Sequence, residues 1–301
     1  MKIYINREPV SGPWGGGNKT VVSLIEHLRS LEHEVVFSLQ KDIDLIFCFD
    51  PRPNRLNESY IDLLMYKQKN NTKIIQRVGD IGTHSKPELT KLVKQTLGYS
   101  DYFIFPSLWA KETIEFDKNN FSVIDNAPLS VFHKYKIHKP VNGSKIKVIT
   151  HHWSTNKKKG FDFYTFLDNL EFIDFLYIGK TPHSVTFKNQ ISATGDMSFI
   201  AKKLAQSDVY LTASVEEAGA NHVLEALASG LPIVYHKAGG SIENYCKNYG
   251  LSFSSKSSMV DSINSIKNNY QLYKNKAMAY NNTINNVVSQ YMEVINEVIC
   301  N

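Results

Sequence analysis

The chain has 301 residues, of which 42% are hydrophobic and 21% charged, and its formal net charge is +5. This composition is sufficient for packed cores and excludes an intrinsically disordered protein. The positive charge is spread along the sequence, so neither half has the strongly basic surface of a nucleic-acid-binding protein. Because a single hydrophobic core rarely grows beyond about 250–300 residues, the length predicts two domains of about 150 residues each.

The three cysteines, Cys48, Cys246 and Cys300, lie far apart in the sequence. Their number is odd and their spacing is not that of metal ligands, which favours free thiols in a reducing compartment. The first residues lack the apolar core of a signal peptide, and no apolar run approaches about 18 residues. We therefore expect a cytoplasmic protein without a membrane span. The mild positive charge is also compatible with peripheral attachment to an acidic membrane.

The first part of the sequence alternates short apolar runs, typical of buried strands, with longer segments of helical period. Strands are predicted at 2–6, 34–38, 44–49, 73–78, 102–105 and 121–124, and helices at 18–31, 56–69, 88–97 and from 107 onward. Such alternation indicates a parallel α/β sheet. We assign residues 1–136 to an N-terminal domain, with the linker in the proline-containing stretch 126–143.

A second series of strands and helices follows. Its strands are predicted at 147–150, 175–179, 209–213 and 232–236, and its helices after Gly160, at 198–206 and at 221–229. We assign residues 137–270 to a C-terminal domain and 271–301 to a C-terminal helical segment. One possible arrangement is that this segment packs back on the N-terminal domain. Two open sheets in tandem place the loops at their carboxyl ends on opposite walls of a cleft, where function is expected.

A glycine-rich loop, SGPWGGG, follows the first predicted strand and precedes a helix. Gly16 and Gly17 let the backbone approach a ligand, and a helix N-terminus offers N–H groups to a phosphate or a sugar hydroxyl. The spacing is neither the dinucleotide fingerprint GxGxxG nor a P-loop, which also disfavours a dehydrogenase. By itself, a plain glycine-rich turn is an equally good interpretation.

Three lysines, Lys157, Lys158 and Lys159, precede Gly160 at the predicted opening of a helix. Cations beside a helix N-terminus suit a diphosphate. Without further context, a solvated lysine run is the favoured interpretation. The neighbouring pair His151-His152 lacks a third ligand at a recognisable spacing, so structural or polar roles outrank metal binding.

The stretch SVEEAGANHVLEALASG, which follows the predicted strand VYLTA, is the richest in the sequence. Glu217 lies in the loop, and a helix is predicted to open near Asn221. Glu225 falls about one turn into this helix, on the same face as Asn221, and can accept two hydrogen bonds from a cis-diol such as a ribose. The backbone N–H groups expected to converge on a ligand are those of Ala218, Gly219, Ala220 and Asn221.

These residues resemble the retaining GT-B glycosyltransferases, in particular the group called family 4, or glycosyl transferases group 1. The stretch EEAGANHVLEALASGLPIV is similar to the donor loop of that family: a Glu, seven residues, a second Glu, Ala, a small-residue turn and Gly-x-Pro. The glycine-rich loop, the Lys-Gly pair at 159–160, VIDNAPLSVF and GGSIEN also resemble family elements. The resemblance covers roughly residues 15–250 and implies two Rossmann-like domains facing a cleft.

The resemblance also implies a role for each matching residue. Glu225 would hold the ribose hydroxyls of a UDP- or GDP-linked sugar, and Glu217 with the amides after it would hold the transferred sugar. Lys159 would face the diphosphate. Gly16 and Gly17 would bring N–H groups towards the same phosphates.

One position departs from the family pattern, because Ser154 stands where the family usually has an arginine five residues before the diphosphate lysine. A clamp without that arginine loses a bidentate partner. Three interpretations stay open: Lys157 or Lys158 substitutes for the arginine, the enzyme is slow, or its donor is placed differently. The acceptor wall is expected in the loop RVGDIGTH, where Asp80 and His84 are the candidates.

The sequence therefore predicts transfer of a sugar from a nucleotide diphosphate to an acceptor hydroxyl, with retention of anomeric configuration. The acceptor is a glycan, a lipid or a protein. Lysine and helix-end N–H groups stabilise the leaving diphosphate, so we expect no resident metal and no cofactor. We interpret Glu217 as a positioning and electrostatic residue rather than an assured nucleophile. The alternatives are a nucleotide-sugar epimerase and a catalytically weak sugar-nucleotide-binding protein.

Overall fold

A computed structural model of the chain describes residues 1–10, 16–137 and 143–300. These residues form two compact units, each built on one parallel sheet. The first unit contains 1–10, 16–126 and 284–300, and the second contains 127–137 and 143–283. The predicted fold class, α/β with two Rossmann-like parallel sheets, is confirmed.

The strands in chain order are β1 (Lys2–Ile5), β2 (Glu34–Val36), β3 (Leu45–Cys48), β4 (Lys73–Arg77), β5 (Tyr102–Phe105), β6 (Phe121–Val123), β7 (Ile146–His152), β8 (Ile173–Gly179), β9 (Gln190–Ile191), β10 (Val209–Thr212), β11 (Ile233–His236) and β12 (Gly250–Phe253). The helices are α1 (Gly16–Ser30), α2 (Tyr60–Asn70), α3 (Pro87–Thr96), α4 (Leu108–Thr113), α5 (Ser130–Lys134), α6 (Phe161–Asp168), α7 (Met197–Ala205), α8 (Asn221–Ala228), α9 (Ser241–Cys246), α10 (Lys256–Asn268), α11 (Tyr270–Met278) and α12 (Ile284–Cys300).

The first unit has the strand order β2-β1-β3-β4-β5-β6. Successive residues of a strand face opposite sides of a sheet, which gives each side its own layer of helices. On one side, α2 packs over Tyr4, Ile46 and Ile74. On the other side, the ring of Phe47 lies 5.8 Å from that of Tyr291 in α12. Helix α12 also packs against α1 and β4, so the C-terminal helix completes the first unit.

Buried Arg77, at the end of β4, ties α12 to the first sheet. Its Nε donates a hydrogen bond to Tyr291 Oη at 2.9 Å, and its Nη2 donates one to Asn126 Oδ1 at 2.8 Å. Hydrogen bonds from a charged donor contribute about 1.5–3 kcal/mol each, more than neutral ones.

The compact units differ from the predicted division in two places, because residues 127–136 and 271–283 pack with the second unit.

The second unit has the strand order β12-β11-β10-β7-β8-β9. The chain adds strands on one side of β7 and then, starting with β10, on the other, so the order reverses between these two strands. Residues of β7 and β10 alternate between two cores. Ile149 and Tyr210 pack with α7 and α8 on one face, whereas Val148 and Val209 pack with α6 and α10 on the other.

Two strands of the second sheet were not predicted from the sequence. Strand β9 has two residues, and β12 opens with a glycine, so neither presents an apolar run long enough to be recognised. Both are edge strands held by pairing with β8 and β11. Helix α2 begins at Tyr60 rather than at residue 56, because Ser59 caps it and its backbone N–H donates to Asp62 at 2.7 Å.

Gly179, at the end of β8, is required by its backbone and by a close neighbour. Its φ is +137°, and an added Cβ would lie 1.8 Å from the carbonyl oxygen of His152. We expect Gly179→Ala to destabilise the fold by roughly 2–4 kcal/mol, because both the backbone strain and the overlap must be relieved. Urea-induced unfolding followed by circular dichroism measures the change.

Gly98→Ala is the matched control, because a Cβ at Gly98 meets nothing within 4 Å. Its stability should stay within about 0.5 kcal/mol of the parent. Equal effects of the two substitutions would show that Gly179 is not constrained in this way.

Candidate functional site

The candidate site lies at the carboxyl edge of the second sheet, where the strand order reverses between β7 and β10. The connection after β7 leads to α6 on one face, and the connection after β10 leads to α8 on the other. In open parallel sheets, ligands bind where adjacent connections diverge in this way. The predicted residues Lys159, Glu217 and Glu225 all belong to these two connections.

The three lysines form a 3-10 turn, Lys157–Lys159, rather than the first turn of α6. Ser154 Oγ accepts a hydrogen bond from Asn156 N at 3.2 Å, and Asn156 Oδ1 accepts one from Lys158 N at 2.9 Å. Side chains that bond to nearby backbone groups in this way favour turns over helix interiors. The lysine turn is therefore built by the residues that precede it.

Gly160 separates the lysine turn from α6. Its φ is +79°, and a Cβ there would lie 2.5 Å from both the Cβ and the carbonyl oxygen of Ala213. Glycine is thus needed for the left-handed conformation and for the close approach to the end of β10. This approach brings the lysines beside the loop that contains Glu217.

The loop after β10 is hydrogen-bonded on both sides. Val215 N donates to Lys158 O at 2.9 Å. On the other side, Glu217 N donates to Gly239 O at 3.1 Å, and Ser241 N donates to Glu217 O at 2.9 Å. The loop is therefore held between the lysine turn and the connection that follows β11.

Two lysine–glutamate pairs join the lysine turn to this loop. Lys159 Nζ lies 2.5 Å from Glu217 Oε1, and the side chains are only 11% and 13% exposed. Lys158 pairs with Glu216, which is more exposed and has a left-handed φ of +56°. Breaking a buried pair leaves an uncompensated charge, so the Lys159–Glu217 pair constrains the site more than the outer pair does.

Glu225 lies on α8, which begins at Asn221 as predicted. Its Oε2 is 2.7 Å from Nε2 of His151 at the end of β7, and the two side chains are 3% and 1% exposed. Asn221 is four residues earlier, on the same face of the helix. The predicted ribose carboxylate is therefore held by a histidine that the sequence suggested only as a polar or structural residue.

Three buried polar atoms at this edge have no hydrogen-bond partner among the residues that the structure describes. They are His151 Nδ1, Ser214 Oγ and Asn221 Oδ1. Most buried polar atoms in folded proteins are paired, and leaving one unpaired costs about 1–3 kcal/mol. These atoms come from the three segments that converge here, which are the end of β7, the loop after β10 and the start of α8.

His222, the second residue of α8, has a strongly altered ionisation. Burial lowers its pKa from 6.5 to about 3, and it also interacts electrostatically with Glu217, Lys159, His151 and Glu225. Its Nε2 lies 3.1 Å from Thr212 Oγ1. Sequence reasoning missed His222 and Ser214, although their positions beside a predicted helix start and strand end were the available signals.

The remaining predicted site residues belong to the first unit. Gly16 and Gly17 open α1, whereas the preceding residues of the glycine-rich loop, 11–15, lie outside the described residues. His84 is partly buried in the turn before α3. Asp80 accepts hydrogen bonds from Lys86 Nζ at 2.7 Å and Gly82 N at 3.0 Å. Burial opposes its ionisation, but these bonds prevail and lower the pKa of Asp80.

Within the described residues, no three His, Cys, Asp or Glu side chains are grouped so as to hold a metal ion. None of the helices in the described ranges is long and apolar enough to cross a membrane.

Because the pKa of His222 is low in the folded protein, the stability of the fold should depend on pH. In the unfolded chain His222 takes up a proton near pH 6.5, whereas in the folded protein it stays neutral down to about pH 3. The stability it contributes is present above pH 6.5 and is lost as the pH falls towards 3. His222→Gln does not titrate, so its melting temperature should fall less than that of the parent between pH 7.5 and pH 5.

Burial also lowers the pKa of His33, His133 and His236. These histidines are present in both the parent protein and His222→Gln, so their contribution to the pH dependence of the melting temperature cancels in the comparison. Parallel melting-temperature curves for parent and variant would contradict the assignment.

Comparison with known proteins supports the resemblance noted in the sequence. Residues 167–269 match the family model Glycosyl transferases group 1. A search of curated proteins found no match.

Solved structures share the fold over nearly the whole chain. Anabaena HepE in complex with UDP-glucose is 14% identical, with a TM-score of 0.70 over 99% of this chain and 100% of that one. Sucrose-phosphate synthase from Thermosynechococcus elongatus is 13% identical, with a TM-score of 0.70 over 100% and 99%. WaaG, a glycosyltransferase involved in lipopolysaccharide biosynthesis, is 12% identical, with a TM-score of 0.68 over 98% and 99%. The match to the glycosyl transferases group 1 model thus lies within the second unit, and the chain has the fold of the GT-B glycosyltransferases.

Proposed function

We propose that this protein is a glycosyltransferase of the retaining, family 4 type that binds a nucleotide-diphosphate sugar at the carboxyl edge of the second sheet. The observation that carries the proposal is the convergence of Lys159, Glu217 and Glu225 where the connections after β7 and β10 diverge. Lys159 pairs with Glu217. Glu225 is held by His151, whose ring lies 6.4 Å from that of His222. Both glutamates lie in the segment that matches the family model. The complex of HepE, which has the same fold, with UDP-glucose makes UDP-glucose the first donor to test.

The nucleoside end of the donor is assigned to Glu225. A carboxylate accepts hydrogen bonds from both hydroxyls of a ribose cis-diol, whereas a phosphate would be repelled by it. Asn221 lies one turn earlier on the same helix face, so its amide group is a neighbour of this carboxylate. This end of the site therefore selects hydroxyl donors.

The diphosphate is assigned to the lysine turn and the start of α8. Lys159 and Lys158 supply positive charge, and the N-terminus of α8, with the amides of residues 218–221, favours an anion. Ser154, which stands where the family usually has arginine, shapes the lysine turn through its bond to Asn156. We propose that Lys158 supplies the cation that the missing arginine would otherwise provide.

The same charges suit the bond that breaks. Cleavage of the sugar–phosphate bond leaves its electron pair on the diphosphate and develops positive charge at the anomeric carbon. Lys159 and the helix N-terminus stabilise the departing diphosphate, and the carboxylate of Glu217 lies on the side of the sugar. Both charges are in place before reaction, so little reorganisation is needed.

The acceptor hydroxyl is proposed to attack from the side of the leaving group, so that the anomeric configuration is retained. Asp80 and His84 stay the candidates for contact with the acceptor, which is a glycan, a lipid or a protein. The buried thiols of Cys48 and Cys246 fit a reducing compartment, so we place the reaction in the cytoplasm.

Donor binding should be lost when Glu225 is replaced. A ligand that binds only the folded state raises the melting temperature, and at 100 times its Kd it adds about 2.7 kcal/mol to the free energy of unfolding. Among UDP-, GDP- and ADP-sugars, we expect one to raise the melting temperature of the parent protein and none to raise that of Glu225→Ala, each protein being measured against its own ligand-free baseline.

Glu171→Ala is the matched control, because Glu171 is an exposed glutamate that precedes β8 at the opposite edge of the same sheet. It should keep the full shift. A shift that survives in Glu225→Ala would place the nucleotide elsewhere and contradict the proposal.

Lys159 should matter for the diphosphate but not for the nucleoside. We expect Lys159→Ala to weaken binding of UDP-glucose by about tenfold or more, because a charged hydrogen bond is removed, while binding of uridine stays unchanged. Lys247→Ala, at an exposed position, serves as control. Titration calorimetry with the two ligands measures the difference, and an equal loss for both would argue against a diphosphate contact.

Product analysis separates this function from the alternatives. A glycosyltransferase releases UDP when an acceptor is added and only slowly without one, whereas an epimerase changes the sugar with no acceptor present. Binding without either reaction would leave a sugar-nucleotide-binding protein. The anomeric coupling constant of the product, read by proton NMR, tests retention.

A further inference from the structure

His151 is a buried side chain that neither a metal site nor the family motif accounts for. Its imidazole is 1% exposed and lies between two strands and α8. The Nε2 atom is 2.7 Å from Oε2 of Glu225, while Nδ1 has no partner in the described part of the chain. Since a carboxylate oxygen accepts, Nε2 is the donor in this hydrogen bond.

The ring of His151 is held in place from several sides. The backbone of His151 is fixed by two hydrogen bonds with Tyr210. The backbone N–H donates to Tyr210 Oη at 3.3 Å, and the same hydroxyl donates to the carbonyl oxygen of His151 at 3.4 Å. The ring of Tyr210 packs edge-on at 5.5 Å between centroids, and the ring of Trp153 lies at 5.9 Å. The imidazole is thus a rigid donor aimed at α8.

We propose that His151 is the positioning residue of Glu225, fixing the orientation in which this carboxylate binds the hydroxyls of a nucleotide sugar. The inference rests on the proposed function of Glu225. His151, at the end of β7, thereby contributes to the affinity for the donor in addition to the lysine turn and the two glutamates.

The physical reason is the freedom of a glutamate carboxylate. Rotation about its last side-chain bond is broad, so an unheld carboxylate samples many orientations. A hydrogen bond from a rigid donor to one oxygen removes that freedom before the ligand binds. The loss of side-chain entropy then occurs on folding and does not weaken the binding of the ligand. Loss of a hydrogen bond to a charged acceptor is expected to lower the affinity by roughly 10- to 100-fold.

Two substitutions of His151 separate positioning from core packing. The amide nitrogen of Gln reaches about as far as Nε2 of His and donates a hydrogen bond, whereas Asn is shorter and its amide falls near Nδ1. We expect His151→Asn to raise the Kd for UDP-glucose by roughly 10- to 100-fold. His151→Gln should keep the Kd within about threefold, because the donor to Glu225 is preserved.

Kinetics supply a readout that a packing role would not move. Because Glu225 contacts a part of the donor that does not react, His151→Asn should raise KM by about the factor seen in Kd and leave kcat nearly unchanged. In combination with Glu225→Ala, His151→Asn should add no further loss, since the two residues act as one unit.

The matched control is His133→Asn. His133 is a partly buried histidine of the same unit, whose Nε2 lies 3.2 Å from Asn282 O, away from the site. It should lower the melting temperature but leave the Kd for UDP-glucose unchanged. If His151→Asn does not fold, His151→Ser, which is also too short to reach Glu225, takes its place with the same expected loss.

The outcomes distinguish failure of this inference from failure of the proposed function. If the parent protein binds none of UDP-, GDP- and ADP-sugars, the proposed function fails, and the inference fails with it. If the parent binds UDP-glucose and Glu225→Ala abolishes binding, while His151→Asn and His151→Gln keep the parental Kd or raise it equally, the positioning role alone is overturned.

Discussion

The parallel pairing of β7 with β10 is the constraint on which the candidate site depends. Strands added on opposite sides of this pair send their connections to opposite faces of the sheet, so the two loops separate and leave an edge lined by both. The bond from Val215 N to Lys158 O, at 2.9 Å, joins these loops again just beyond the strands. Gly160 makes that join sterically feasible, since a side chain there would overlap Ala213. Topology creates the edge, and these local contacts shape it.

The carboxylates at this edge have partners within the protein. Lys159 is paired with Glu217, and Glu225 is held by His151, while burial keeps His222 neutral at pH 7. Buried charges that are paired or hydrogen-bonded cost less free energy than isolated ones. In the proposed function, the donor brings the anionic diphosphate to the lysines and hydroxyl groups, as hydrogen-bond donors, to the carboxylates.

Much of the architecture could be predicted from the sequence because buried parallel strands are uniformly apolar and the helices between them are amphipathic. The start of α8 at Asn221 followed from the residues around it. Strands β9 and β12 could not be recognised, since short edge strands are held by their neighbours rather than by their own apolar residues. The place of α12 in the first unit also depends on distant partners, Phe47 and Arg77, which no local pattern reveals.

The sequence by itself determined the order of most strands and helices and the spacing that puts Asn221 and Glu225 on one face of α8, because both follow from local periodicity. Only the tertiary structure decided which groups meet. Lys159 and Glu217 are 58 residues apart in the chain, and His151 and Glu225 are 74 residues apart. Their contacts follow from which strand lies beside which, and strand order is settled by the packing of the whole sheet and its two helical layers rather than by any segment alone.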